Sequence, residues 1–294
     1  MSTSPTWPSG THVVFPCCYK MNLSSVAGAP EMLLGRTRVG FQRSLDTEPR
    51  HQMDDSHRRF LQAMMRRGIV DEPTAKQLHQ HCCSIQNTIY ASDQFDEYID
   101  TINSNLEPIF MQIRKGMCED SGLQHYALVN MIETDVTRMT SDYADHELEI
   151  FRKIMDLVVD SDTGRAYSTE ILNSTVTLPQ KTKKTEIEQL LNRFVHDNWL
   201  TEKEGVYYLS TRCIIEMEQY IRNMYQDQIK VCRICRNIAF QTQVCENPTC
   251  GVKMHKPCMA RFFRGTTEPR CPACKDVWTH EIPEIKEPHS ESSN

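Results

Sequence analysis

From Asp54 onward the apolar residues recur with helical or strand periods, and their order sketches an architecture. "DDSHRRFLQAMMRRGIV" puts Phe60, Leu61, Met64 and Met65 on one helical face and stops at Gly68. "DEPTAKQLHQHCC" restarts a helix with Pro73 in its first turn, where the missing N–H costs nothing. "SDQFDEYIDTINSNLEPI" offers a Ser/Asp cap and then Phe95, Tyr98, Ile99 and Ile102 at spacings of three and four. "IFMQIRKGM" and "LQHYALVNM" alternate as strands do, with a turn at "EDSGL" between them.

The same order then recurs loosely. "DYADHELEIFRKIMDLVVDS" is a strongly amphipathic helix carrying Leu148, Ile150, Phe151, Ile154, Met155 and Val158. A short helical piece follows near "STEILNSTV". After the Lys-rich turn "QKTKK", a helix carries Ile187, Leu190, Leu191, Phe194 and Val195 on one face. "WLTEKEGVYYLS" predicts a hairpin turning at Glu204-Gly205, and "TRCIIEMEQYIRNMYQ" a closing amphipathic helix. Three helices followed by a hairpin is the winged-helix order, and it occurs twice. The expected fold class is therefore α+β, mainly helical: two tandem winged-helix domains, then a cysteine-rich C-terminal module. The expected boundaries are a disordered extension over 1–53, winged helices over 54–138 and 139–228, a zinc module over 229–282, and a disordered tail over 283–294. The extension mixes Pro, Gly, Ser and Arg without a period, which is the composition of an unfolded segment.

Composition narrows what such a chain does. Its 294 residues carry 33 Lys+Arg against 39 Asp+Glu, a formal net charge of −6, which argues against a broad nucleic-acid-binding face. The exception is local. Lys181, Lys183 and Lys184, with Arg193 beyond them, are placed to touch phosphate from the second unit, where affinity would come from counterion release. A solvated loop beside a protein-docking module is the plainer reading. No apolar run approaches the roughly 20 residues of a membrane-spanning helix, and "MSTSPTWPSGTHVVFPCCYK" lacks the basic start and apolar core of a secretory signal.

The cysteines carry the chemistry. Seven of the thirteen fall between Cys232 and Cys274, in pairs and with a histidine among them, the pattern of metal binding in a reducing, intracellular compartment. The ligand string is C-x2-C-x9-C-x4-C-x4-H-x2-C-x12-C-x2-C. Thiolates and imidazole suit tetrahedral Zn2+, and four-ligand sites leave no open position for a catalytic water. Eight ligands make two structural zinc sites. So few residues cannot bury a sizeable core, so the metals must supply much of the folding energy. In a cross-brace, Cys232, Cys235, His255 and Cys258 form site 1, and Cys245, Cys250, Cys271 and Cys274 form site 2. A sequential pairing, first pair with second and third with fourth, is the alternative, and the CxxC–HxxC–CxxC rhythm favours the cross-brace. The remaining Cys17, Cys18, Cys82, Cys83, Cys118 and Cys213 read as free thiols. His79, His81, His125, His146 and His196 belong to no ligand cluster and are expected at the surface or at helix caps. The sequence shows no nucleophile–base pair, paired-carboxylate motif, P-loop or dinucleotide fingerprint. Any activity is that of a scaffold positioning other molecules.

The module resembles the RING family in the variant whose fifth ligand is histidine. PHD fingers share that ligand order, but they usually carry an aromatic two residues before the seventh ligand, where this chain has Pro269. RING ubiquitin ligases usually place an apolar residue before the second ligand, a large apolar residue in the helix after the central pair, and proline after the seventh ligand. Here these are Ile234, Phe262 or Phe263, and Pro272, and the resemblance implies a shallow groove that docks a ubiquitin-conjugating enzyme. The basic residue after the last ligand, usually arginine in such ligases, is Lys275, whose point charge does not reproduce a guanidinium fork.

The order of two winged helices and a RING variant, with "DSHRRFLQAMMRRGIV", "YALVN", "EMEQYIR" and "MHKPC…EPRCPACKDVWTHEIP", closely resembles one family over about residues 54–283. That family is the first non-SMC element subunit of the SMC-five/six chromosome-maintenance complex. The resemblance implies a nuclear, chromosome-associated role in DNA repair by homologous recombination. It implies a heterodimer with a MAGE-family subunit through the winged helices, association with a kleisin subunit, and a ubiquitin-ligase activity that depends on the partner. The rival reading is a non-enzymatic subunit whose zinc module stabilises the assembly. A PHD-like chromatin reader is a third, and no aromatic cage is visible in the sequence to serve it.

Overall fold

Helix starts follow the expected chemistry where a short polar side chain precedes the apolar run. The computed structural model of the chain describes residues 52–131 and 142–283. The expected extension and tail, and the boundary at 138/139, lie outside the described residues apart from 52, 53 and 283. Helix α1 (Asp55–Arg67) is capped by Asp54, whose carboxylate accepts from the N–H groups of Ser56 at 2.8 Å and His57 at 3.1 Å. Gly68, at φ 71°, closes it. Helix α2 (Glu72–Gln86) is capped by Asp71, which accepts from the Thr74 N–H at 2.8 Å. Between the two lies a three-residue strand, β1 (Ile69–Asp71). Helix α3 (Phe95–Leu106) grows out of the 3-10 turn Ser92–Gln94 and has no side-chain cap, contrary to the Ser/Asp cap its sequence offers. Strands β2 (Met111–Met117) and β3 (Gln124–Asn130) then pair in register Met111↔Asn130 to Met117↔Gln124.

The second unit repeats this order. It contains α4 (Asp145–Asp160), β4 (Ala166–Tyr167), α5 (Ser168–Thr175), α6 (Lys184–His196), β5 (Leu200–Lys203) and β6 (Val206–Leu209). Its hairpin turns at Glu204 and Gly205, both at positive φ (53° and 78°), as a two-residue primed turn requires. The two sheets also share one strand order, β1-β3-β2 and β4-β6-β5, all antiparallel. Both units therefore carry the element order of a winged helix, each with a short strand between its first and second helices that joins the hairpin's sheet. The closing amphipathic helix is two pieces, α7 (Thr211–Glu216) and α8 (Glu218–Met224), broken at Met217.

Two apolar cores account for the helical units. One gathers Phe60, Met64, Phe95, Tyr98, Ile99, Ile102, Ile113 and Tyr126. The other gathers the expected face of α4 with Ile171, Leu191, Phe194 and Trp199. Met65 leaves the first core: it is 46% exposed, because i+1 from Met64 turns it by about 100° away from the buried stripe. His79, expected at the surface or at a helix cap, is buried and packs against Tyr98 with the rings tilted by 36° and their centroids 4.1 Å apart.

The two units and the C-terminal module meet at seams, and a glycine lies at each. Ile215 of α7 packs with Ile69, Ala127 and Val129 of the first sheet, and Arg114 pairs with Glu218 at 2.5 Å. A Cβ on Gly116 would lie 2.4 Å from Ile215 Cγ1. Ile238 and Phe240, from the C-terminal module, belong to the second unit's core, and a Cβ on Gly164 would lie 2.4 Å from the Phe240 carbonyl carbon. Gly122, in the β2–β3 turn, would meet Pro257 at 2.6 Å.

Candidate metal centres

Two tight turns of the same construction hold the outer cysteine pairs. Around Cys232 and Cys235, residues Val231 and Ile238 form an antiparallel bridge, and the Arg236 N–H donates to the Cys232 carbonyl at 3.0 Å. Around Cys271 and Cys274, Arg270 bridges Val277 and the Lys275 N–H donates to the Cys271 carbonyl at 3.1 Å. The residue after each pair sits in the left-handed region, Arg236 at φ 66° and Lys275 at φ 68°. That conformation folds the chain back so that both sulfurs of a pair point to one centre. Strands β7 (Thr242–Val244) and β8 (Lys253–His255) pair between the turns and set His255 beside helix α9 (Lys256–Phe262). His255 and Cys258 are three residues apart at that helix start, so they lie on one face.

The donor atoms of Cys232, Cys235, His255 and Cys258 lie within 4.8 Å of one another, and so do those of Cys245, Cys250, Cys271 and Cys274. First pair joins third and second joins fourth, so the arrangement is the cross-brace and not the sequential alternative. The His255 Nδ1 is 3.3 Å from the Cys235 sulfur and 3.7 Å from the Cys258 sulfur, so Nδ1 is its ligand end. Closed sets of three thiols with one imidazole, and of four thiols, fit a tetrahedral divalent ion of zinc's chemistry. The local electrostatics divide among the ligands. Burial pushes the His255 imidazole down, but the sulfurs of Cys232 and Cys235 and the Glu119 side chain outweigh it and lift it to about 12. Burial raises the Cys271 thiol, and the N–H groups of Ala273 and Cys274 overcome this and hold it at about 7. A thiolate is thus accessible at Cys271 near neutral pH, while burial and the neighbouring Cys271 and Cys250 sulfurs push the Cys245 thiol up.

Glu119 was not visible as a site residue. It stands in the β2–β3 turn, which the sequence marks only as a turn, yet it is buried against the module. Its Oε1 lies 3.0 Å from His255 Nε2 and accepts from the Phe240 N–H at 2.8 Å, while Oε2 accepts from the Gln241 N–H at 3.0 Å. No spacing rule links a residue to partners more than a hundred positions away.

The expected groove residues divide. Ile234 (36% exposed) and Phe262 (46%) line one surface pocket with Met117, Gln124, Asn237 and Arg261. Phe263 does not line it: at 4% exposed, it packs on Trp278 in the module's core with Met254 and Met259. Helical geometry explains the difference, since adjacent residues face about 100° apart. Pro272 and Lys275 lie at the second turn, where the Lys275 ammonium donates to the Pro272 carbonyl at 3.3 Å, and neither lines the pocket. Of the expected phosphate contacts, Lys181 donates to the Val176 carbonyl at 2.6 Å, and Lys183 and Lys184 are exposed at the start of α6. Arg193 is engaged elsewhere, with Glu147 at 2.7 Å and the Asp142 carbonyl at 3.0 Å. Among the described residues no helix is long and apolar enough to cross a membrane.

Comparison with known proteins agrees with this geometry. Residues 57–217 match the family model described as "Nse1 non-SMC component of SMC5-6 complex", and residues 232–274 match a RING-like domain. A Xenopus laevis protein named "Non-structural maintenance of chromosomes element 1 homolog" is 47% identical over 240 residues, covering 81% of this chain and 88% of its own length. The human homolog is 46% identical, with 81% of this chain and 90% of its own covered. A fission-yeast relative, from Schizosaccharomyces pombe, is 24% identical over 244 residues, covering 80% and 97%. A solved structure titled "Nse1-Nse3-Nse4 complex" has a chain that superposes with a TM-score of 0.72 at 47% identity, covering 79% of this chain and 99% of that one. The chain belongs to the Nse1 family of non-SMC components of the SMC5-6 complex and ends in a RING-like domain.

Proposed function

We propose that the chain is a RING-type ubiquitin ligase subunit of an SMC5-6 complex, acting in the nucleus in DNA repair by homologous recombination. Zinc occupies both clusters as a structural ion, and no side chain of this chain does covalent chemistry. The module holds a ubiquitin-charged conjugating enzyme and orients its thioester toward a substrate lysine, so proximity supplies the rate. The observation that carries the reading is the shared pocket of Ile234 and Phe262, two exposed apolar residues that line it together with the site 1 cysteines Cys235 and Cys258. The partners are a MAGE-family subunit, counterpart of Nse3 in the solved relative's complex, and a kleisin, counterpart of Nse4. In a reconstituted reaction with the MAGE-family partner, Ile234→Ala combined with Phe262→Ala should cut ubiquitin-chain formation about tenfold or more, as loss of two central apolar anchors does. Zinc content should stay at two ions. Unchanged chain formation would remove the groove from this account. Pro272→Ala and Lys275→Ala, outside the pocket, should have smaller effects.

One observation favours the second reading, a structural subunit without ligase activity. The module is buried into both helical units, through Ile238 and Phe240 on one side and Met117 and Glu119 on the other. On that reading the double variant repairs DNA normally, and ligand cysteine variants fail to assemble. Direct DNA contact through Lys181, Lys183 and Lys184 would be weak and salt-dependent. Charge reversal at these positions should abolish binding to a short duplex at low salt, and retained binding would place the contact elsewhere.

A further inference from the structure

Around His255 Nε2 the structure places only acceptors: Glu119 Oε1 at 3.0 Å and the Ile238 carbonyl at 3.2 Å. That nitrogen must therefore carry a hydrogen, and in the neutral ring the lone pair is at Nδ1, the atom facing the sulfurs of Cys235 and Cys258. The tautomer a metal ligand needs is thus supported both by the module's own Ile238 carbonyl and, from outside the module, by the charged Glu119 side chain of the first helical unit. The same carboxylate collects two backbone N–H groups of the module, those of Phe240 and Gln241. Glu119 is itself 5% exposed, and in such a site every donor left without its acceptor is costly. Next to it, Arg261 donates to the Gly122 carbonyl, and Met117 packs into the module's core.

We propose that Glu119 is a positioning residue for site 1, a clasp through which metal binding at Cys232, Cys235, His255 and Cys258 and docking of the module on the first unit stabilise each other. A carboxylate hydrogen-bonded to the far nitrogen of a ligating imidazole fixes the ring's orientation and raises its basicity, and loss of such a partner typically costs 10–100-fold in metal affinity. Linkage makes the effect reciprocal: whatever strengthens the ligand when the module is docked must strengthen docking when the metal is bound. Site 2 makes its sulfur contacts within the module, Cys245 with Cys274 and Cys250 with Cys271, each at 3.6 Å. Its Cys245, Cys250, Cys271 and Cys274 are arranged by the module alone. The two sites should accordingly respond differently to the same substitution.

The inference rests on reading the first cluster as a zinc site, and the experiment separates the two ideas. The full chain would be prepared with its zinc content measured, and release to a chromogenic chelator followed for the parent, Glu119→Gln, Glu119→Ala and Arg261→Gln. Glu119→Gln keeps size and one acceptor but turns an amide NH2 toward a donor, so it tests the clasp even if Glu119→Ala fails to fold. Arg261→Gln loosens the same seam without touching His255. The expected result is two ions per parent chain, with release of one of the two accelerated about tenfold or more in Glu119→Gln and by a smaller factor in Arg261→Gln, which weakens docking but leaves the Glu119–His255 contact in place. Amide exchange at Phe240 and Gln241 should rise in the Glu119 variants, and should rise in the parent once zinc is removed. A parent chain without zinc would overturn the metal reading itself. Equal release in parent and Glu119→Gln, equal acceleration of both ions, or the same acceleration in Arg261→Gln would each overturn the clasp and leave the metal reading standing.

Discussion

Substituting Cys271 with serine is expected to unfold the C-terminal module while the helical units keep their structure. Cys271 is 1% exposed and contributes a sulfur to site 2, 3.6 Å from the Cys250 sulfur. The module's own apolar core is small: beyond its cysteines it consists chiefly of Ala239, Val252, Met254, Met259, Phe263 and Trp278, joined by Met117 from the first unit. A cluster of that size does not offset the conformational entropy of ordering the chain from Val231 to Trp278. In small zinc domains the metal supplies about 10–16 kcal/mol at neutral pH, and that is folding free energy. Native mass spectrometry should show the zinc count falling from two to one or none. Amide exchange over residues 253–278 should become fast, with residues 55–106 remaining protected because their core is built from their own helices. The second unit should lose part of its stability, since Ile238 and Phe240 leave its core. Two retained ions and unchanged exchange would show that the apolar contacts alone hold the module.

Much of this arrangement is legible in the sequence because it is written in local periods. The faces of α4 and α6 follow from spacings of three and four, and Leu148, Phe151, Ile154, Leu191 and Phe194 are all buried. The two metal clusters follow from ligand spacing, which is equally local. What sequence reading misses is set by tertiary contact. Strands β1 and β4 are too short to show a period, and they form because an edge of a neighbouring hairpin accepts them. Phe262 and Phe263 are chemically equivalent in the sequence, and only the direction in which α9 packs decides that one faces solvent and the other Trp278. Glu119 and Gly164 look like ordinary turn residues. Their roles come from the module that settles against them, more than 70 positions later along the chain in each case.

Gly164→Val should cost about 3 kcal/mol and open the seam between the second unit and the zinc module. Two effects add. Gly164 has φ 66°, where a β-branched residue is strained by about 1–2 kcal/mol. A Cβ there would also sit 2.4 Å from the Phe240 carbonyl carbon and 2.5 Å from its oxygen. Those are backbone atoms of a residue buried in the second unit's core, so the neighbour cannot swing aside as a flexible side chain would. Overpacking of this kind adds about 1–3 kcal/mol. Gly265→Val supplies the comparison, since Gly265 has a similar φ of 73° and nothing within 4 Å of its Cβ position. It should show the conformational strain alone. Chemical denaturation of both variants, with amide exchange at Phe240, measures the difference between them. If Gly164→Val is no more costly than Gly265→Val, the module yields at that seam with little loss, and its position rests on the first unit and Glu119. If the excess appears and Phe240 exchange rises only in Gly164→Val, the module is held from both sides. The pocket of Ile234 and Phe262, walled by Met117 and Gln124, then keeps one fixed geometry toward whatever docks there.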